Sequence, residues 1–193
     1  MKQNSGTRKE YFEGKLIFDG EYSKRKRKGK GKEFDYHTGK VIFEGEYNDD
    51  KRNGNGKEFD NNGKLIFEGE FKNGVKWNGK GYNENNEIEY EIKDGTGKIK
   101  EYINGRLLYE GEYKNGKRNG KGKEYNIINE SLIYEGEYLE GKRNGKGKEY
   151  YSGKLTFNGE YKDGIKNGVG KEYYNGKLIY EGEFLNGKKI QLK

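Results

Sequence analysis

Very few residues in this sequence have the type and spacing that catalysis needs. There is one histidine, His37, in Tyr36-His37-Thr38-Gly39, and no cysteine, so neither a histidine relay nor a thiolate metal site can be assembled. Carboxylates are plentiful, but they recur at equivalent places: Glu110 and Glu112, then Glu135 and Glu137. A catalytic pair is singular, whereas a repeated row of acids is a solvated face. Gly74 to Lys80 has the spacing of a phosphate loop, yet Gly81 follows where a magnesium-binding hydroxyl is needed. No helical pattern follows it to supply a dipole. The residues therefore predict no enzyme, no cofactor and no metal.

Two residue classes could instead bind. Lys24, Arg25, Lys26, Arg27 and Lys28 form a basic run suited to an anionic surface, and Arg52, Arg118 and Arg143 recur in segments that would stack along one edge. This is the basis for an alternative function, peripheral attachment to an anionic membrane, with each basic residue contributing about 1 kcal/mol. The net charge of +7, from 40 bases against 33 acids, permits an anionic partner without requiring one. Nucleic acid is not expected, because stacking needs free aromatic rings and those here sit in a glycine-rich pattern. The rings are the second class. Tyr134, Tyr138 and Phe157 are candidate protein contacts on that aromatic face, with Trp77, Tyr82 and Tyr90 around an irregular stretch. A contiguous aromatic face marks an interaction surface, so the leading expectation is a non-catalytic scaffold with a protein partner.

The elements that carry these residues are repeated. Aromatic-x-Gly-Glu-aromatic recurs with its glycine at Gly20, Gly45, Gly69, Gly111, Gly136, Gly159 and Gly182, in steps of 25, 24, 42, 25, 23 and 23 residues. Such a period means stacked repeats. Within Leu132-Ile133-Tyr134-Glu135-Gly136-Glu137-Tyr138, apolar residues and glycine alternate with glutamate, which is the period of a strand. A turn such as Asn115-Gly116-Lys117-Arg118-Asn119 then leads to a second strand opening with Gly120 and Gly122. Glycines inside a strand mark a close approach, here by an aromatic ring lying over bare backbone.

The expected fold is all-β: one elongated, single-layer, twisted antiparallel meander of about eight β-hairpin repeats over residues 1–193. The longest step hides a degenerate repeat at about 82–105, with Asp94-Gly95 as a two-residue hairpin turn. Trp77 reads as an extra residue in the turn between Gly74 and Gly79, and in the first full repeat Arg25 stands where the turn glycine is expected. Lys9-Glu10-Tyr11 already matches the end of a second strand, and after Gly187-Lys188 a second strand should follow. Open end strands invite pairing, so homo-association through them is expected. With 28% hydrophobic residues but 18 Tyr and 9 Phe, a thin sheet fits better than a thick core. No apolar run approaches a membrane span, and a cytoplasmic location is expected.

Tyr109-Glu110-Gly111-Glu112-Tyr113 through Gly120-Lys121-Gly122 resembles the MORN (membrane occupation and recognition nexus) repeat, and the resemblance covers nearly the whole chain. It implies an antiparallel meander with one hairpin per repeat. For activity it implies only the varied settings of such arrays: cytoskeletal scaffolds, ciliary parts, junctional proteins and appendages of lipid kinases or methyltransferases. The chain departs from the family in carrying Tyr or Phe after Gly-Glu in place of tryptophan, and Lys-Glu in the second strand.

Overall fold

The computed structural model describes residues 5–103 and 106–190. It divides into two units: Met1–Gly97 with Tyr102–Arg106, and Lys98–Glu101 with Leu107–Lys193. The first carries β1 (Ser5–Phe12), β2 (Lys15–Ser23), β3 (Lys26–Phe34), β4 (Val41–Asn48), β5 (Lys51–Phe59), β6 (Leu65–Lys72), β7 (Val75–Tyr82) and β8 (Ile88–Lys93). β9 (Thr96–Ile103) and β10 (Arg106–Lys114) take residues from both units. The second carries β11 (Lys117–Tyr125), β12 (Leu132–Leu139), β13 (Lys142–Tyr151), β14 (Lys154–Lys162), β15 (Ile165–Tyr174), β16 (Lys177–Leu185) and β17 (Lys188–Lys189). Each unit is an antiparallel meander whose strands pair with their neighbours in sequence. There is no helix among the described residues. The all-β antiparallel expectation holds.

Glycine sets the sheet's geometry at two kinds of position. Gly136 stands opposite Gly122 and Gly147, and a Cβ on it would lie 2.7 Å from the Gly147 Cα and 2.5 Å from the Tyr134 hydroxyl. The ring of Tyr134 therefore lies flat over paired bare backbone, as the sequence implied. Gly145 serves differently. It has φ +90° in a bulge of β13, and the Glu137 carboxylate occupies the space a side chain would need. That carboxylate accepts the Lys146 N–H at 3.2 Å, and Glu112 does the same for Lys121 at 3.0 Å. The Gly-Glu pair of the motif thus fixes both the ring's seat and the neighbouring bulge.

The hairpin turns are shorter than the sequence suggested. Only Asn115 and Gly116 form the turn, both at positive φ (51° and 74°), and β11 begins at Lys117. The second strand starts early because Arg118 pairs with Tyr113 across the hairpin. Successive turns are stitched together. Gly141 donates its N–H to the Arg118 carbonyl, Gly164 to that of Arg143, and Asn53 Oδ1 accepts the Asn73 N–H. Arg25 does take a glycine conformation, with Lys24 at φ 51° and Arg25 at 68°. Asp94 and Gly95 form the expected two-residue turn (φ 50° and 66°) between Lys93 and Thr96.

Trp77 is not in a turn. It lies inside β7, half-buried, with the Lys72 ammonium 4.2 Å above its ring. Its carbonyl accepts Gly95 N–H, as the Arg52 carbonyl accepts Gly74 N–H, and Asn78 takes the part of Asn53. From glycine to paired glycine this hairpin is one residue shorter than the previous one, Gly69 to Gly79 against Gly45 to Gly56. Between the covering cation and the paired glycine, Trp77-Asn78 replaces the three residues Asn53-Gly54-Asn55, so the bulge glycine is lost and Trp77 stands at the register shift.

Candidate interaction site

The two faces of the sheet carry different chemistry. On the first, the leading ring of each repeat lies over glycine, and a cation nine residues later in the sequence lies over that ring. In the first unit Arg27 covers Phe18 at 4.0 Å, Arg52 covers Phe43 at 4.0 Å and Lys76 covers Phe67 at 4.7 Å. In the second, Arg118 covers Tyr109, Arg143 covers Tyr134, Lys166 covers Phe157 and Lys189 covers Tyr180, at 4.2, 4.0, 4.2 and 5.1 Å. Each ring also meets others edge to face, as Tyr134 does with Tyr138 at 5.5 Å and Tyr161 at 5.3 Å. Quadrupole, cation and burial act together here, and a desolvated cation over a ring contributes about 2 kcal/mol.

The cations are joined by carboxylates into an alternating ladder. In the first unit it runs Glu10, Arg27, Glu33, Arg52, Glu58, Lys76, with gaps of 2.6, 3.9, 2.6, 2.8 and 2.8 Å. In the second it runs Glu101, Arg118, Glu124, Arg143, Glu149, Lys166, Glu172, Lys189. Burial pushes the Glu58 carboxyl up, but Lys76 and Arg52 outweigh it and hold it below the usual range. Burial likewise opposes the charge of Lys76, and Glu58 outweighs that, so its pKa is raised. The second ring of the motif joins in: Tyr47 donates its hydroxyl to Glu33 at 2.7 Å, and burial and that carboxylate raise its pKa.

The sequence-predicted residues divide on this face. Tyr134, Tyr138 and Phe157, expected as contact surface, are buried, because cations, glycine backbone and neighbouring rings enclose them. Tyr90 is half-buried, its hydroxyl 3.2 Å from Lys76 Nζ, and Tyr82 and Trp77 are half-buried in β7. Arg27, Arg52, Arg118 and Arg143, expected as part of a basic row, are half-buried in the ladder, each paired with two glutamates. Lys24, Arg25, Lys26 and Lys28 are exposed at one hairpin, and Lys26 faces Asp49 at 3.4 Å. Among the described residues no row of free guanidiniums forms. His37 sits in a loop whose Asp35 accepts the N–H groups of His37 and Thr38.

The opposite face was not singled out from the sequence. There, in the first unit, a trough of about 640 Å³ crosses β2 to β6. Its floor is the backbone of Gly31, Gly45, Gly56 and Gly69. One wall is Asp19, Lys32, Glu44, Lys57 and Glu68, in strict alternation of sign from strand to strand. Lys30, Glu46 and Asn55 make the other. Wall charges pair at the exposed surface, Lys32 with Glu44 at 3.3 Å and Lys57 with Glu68 at 3.1 Å, contacts of at most about 1 kcal/mol that a ligand can exchange. The second unit's matching row is tied down further. Tyr125 donates to Glu110 at 2.6 Å and Tyr150 to Glu135 at 2.7 Å. Phe34 and Phe59 stand at those places in the first unit and have no hydroxyl to donate. Alternating acids with a phenylalanine in the following strand, Phe34 after Asp19 and Phe59 after Glu44, was the available sequence signal.

The repeat geometry agrees with a family comparison. The MORN repeat family matches residues 43–64, 67–81, 109–126, 134–156, 157–177 and 180–189, more than half of the chain. The chain belongs to the MORN repeat family. MORN repeats are commonly interaction or scaffold modules, and the family is generally non-catalytic. No curated protein matches the chain. Among the described residues no group of three or more His, Cys, Asp or Glu could hold a metal, and no helix is long and apolar enough to cross a membrane.

Proposed function

We propose that this MORN array is a non-catalytic interaction scaffold, and that the trough of its first unit takes an extended polypeptide segment running across the strands. The trough itself carries the reading: a bare glycine floor between walls whose charges alternate. Strands lie about 4.8 Å apart, so like charges on the wall repeat every 9.6 Å or so, close to one turn of a chain in the extended polyproline II conformation, whose three residues at about 3.1 Å each bring side chains back to the same face. The segment that fits carries acids and bases in a three-residue period and replaces the weak wall pairs with its own. Attachment to an anionic membrane has less support, because the ladder takes four of the eight basic residues on which that reading rests.

The test is to select extended peptides on the 193-residue chain and titrate them against charge variants. Lys32→Glu with Lys57→Glu should weaken the selected peptides at least about tenfold, the equivalent of 1.4 kcal/mol. Lys24→Glu with Arg25→Glu should change little. Peptides indifferent to the wall, or capture only by anionic vesicles, would refute the reading.

A further inference from the structure

The two end strands of the array are complementary halves of a repeat, and the geometry points to head-to-tail association of copies, with β1 of one pairing alongside β16 of another. Among the described residues β1 pairs only with β2, and β16 pairs on its far side with β17 only through Phe184 and Leu185. From Lys177 to Glu181 that edge faces no strand of the described chain.

The register is already written in the internal repeats. A first strand meets its second strand with Tyr134 opposite Glu149, Glu135 opposite Lys148 and Gly136 opposite Gly147. The second strand meets the next first strand with Glu149 opposite Phe157 and Lys148 opposite Asn158. β1 holds that second relation with β2, with Glu10 opposite Phe18, Lys9 opposite Asp19 and Arg8 opposite Gly20. It is a second strand with no first strand before it among the described residues. In the same register β16 would set Tyr180 opposite Glu10 of the second copy, Glu181 opposite Lys9 and Gly182 opposite Arg8.

The ion ladder is continued by the same pairing. Lys189 lies over the Tyr180 ring at 5.1 Å and pairs with Glu172 at 2.7 Å. Internal cations pair forward as well, to a glutamate six residues on in their own strand, as Arg118 does with Glu124 at 3.0 Å and Arg143 with Glu149 at 3.2 Å. Glu10 of a second copy arrives at that forward place, already bound to its own Arg27 at 2.6 Å. Glu172, Lys189, Glu10 and Arg27 then run on without a change of alternation. One departure limits the strength of the joint. Arg8 stands where internal strands have glycine, and a Cβ at Gly147 would collide with the Tyr134 hydroxyl. The Tyr180 ring must shift to admit Arg8, giving up its bond to the Ile190 carbonyl at 3.0 Å. The contact is heterologous, so copies add one after another.

The test uses the absence of cysteine from the chain. Residues facing each other in an antiparallel pair have Cα atoms about 4.5–5.5 Å apart, within disulfide range. Lys9→Cys and Glu181→Cys are made as separate full-length proteins, mixed and mildly oxidised. The expected result is a mixed disulfide dimer of the two variants in clear excess over either self-dimer. Equal or preferred self-dimers, or no mixed dimer, overturn the proposal. Sedimentation velocity adds an arm without cross-linking. Arg8→Gly should lower the concentration for association about tenfold, Lys9→Glu should raise it, and Glu181→Lys added to Lys9→Glu should restore it. A wild-type chain and an Arg8→Gly variant that both stay monomeric up to about 1 mM, the weak end of specific binding, overturn it as well.

Discussion

Removing the Glu58 carboxylate should weaken the first unit more than any exposed charge could. Glu58 lies 2.8 Å from both Arg52 and Lys76, and Glu58 and Lys76 are each only 8% exposed. At an effective dielectric near 20, two charges about 3 Å apart attract by about 5–6 kcal/mol, and desolvation offsets several of these. Glu58→Ala leaves the desolvation of Lys76 in place and takes away the nearest attraction, so the expected loss is about 3–5 kcal/mol. Glu58→Leu with Lys76→Met removes both charges and keeps the volume, and should recover most of that loss. Urea unfolding followed by Trp77 fluorescence measures it, because the chain's only tryptophan adjoins Lys76 in β7. A Glu58→Ala protein within about 1 kcal/mol of wild type, or a double variant as weak as the sum of the single ones, would show that the ladder is not a coupled network.

Three further outcomes follow from the same geometry. Gly136→Ala puts a methyl into the Gly147 backbone and the Tyr134 ring and should destabilise by about 1–3 kcal/mol or more, whereas Gly6→Ala, with nothing within 4 Å, should stay within about 0.5 kcal/mol; equal thermal shifts for the two would contradict the ring-on-glycine account. The carboxyls of half-buried Glu33 and buried Glu58 are pushed up by desolvation but held low, Glu33 by Arg52 and Glu58 by Lys76 and Arg52, so their contribution is full above the unfolded carboxylate pKa and is lost as pH falls through the folded values. At the other extreme, burial raises Tyr102 and Tyr150 to about 12, so their contribution is full below the unfolded value of about 10 and is lost as pH climbs towards 12; stability that is flat across both windows in a pH series of urea melts would count against this. Arg25→Gly relieves a side chain held at φ 68° and should stabilise by about 1 kcal/mol, read as a rise in the urea midpoint and contradicted by a fall.

The fold was legible because glycine, ring and glutamate recur in a period of two inside a longer period, and no helix pattern competes with them. Strand starts were harder. Lys117-Arg118-Asn119 has turn composition, yet Arg118 is drawn into the strand by Tyr109 beneath it and Glu101 and Glu124 beside it. The arginines read as a free basic row for the same reason: their partners sit in other strands, and only the fixed nine-residue step from ring to cation, Phe18 to Arg27 or Tyr134 to Arg143, encodes the cover. The rings read either as a contact face left bare by a single sheet or as rings lying over glycine and burying one another; long basic side chains roof them, and those come from positions that strand alternation alone does not mark. Trp77 looked like an insertion because the glycine lost after it, in the bulge, is invisible without the Gly69–Gly79 pairing. The trough needed the fold, since its floor is backbone at positions whose side-chain direction points to the opposite, ring-covered face.

The most direct test of the scaffold reading is amide hydrogen exchange on the 193-residue chain, with and without a saturating selected peptide. Added protection should fall on β3 to β6 around Lys32, Glu44, Lys57 and Glu68 and leave the Lys24–Lys28 hairpin unchanged. Protection confined to that hairpin, or to the second unit, would contradict the account.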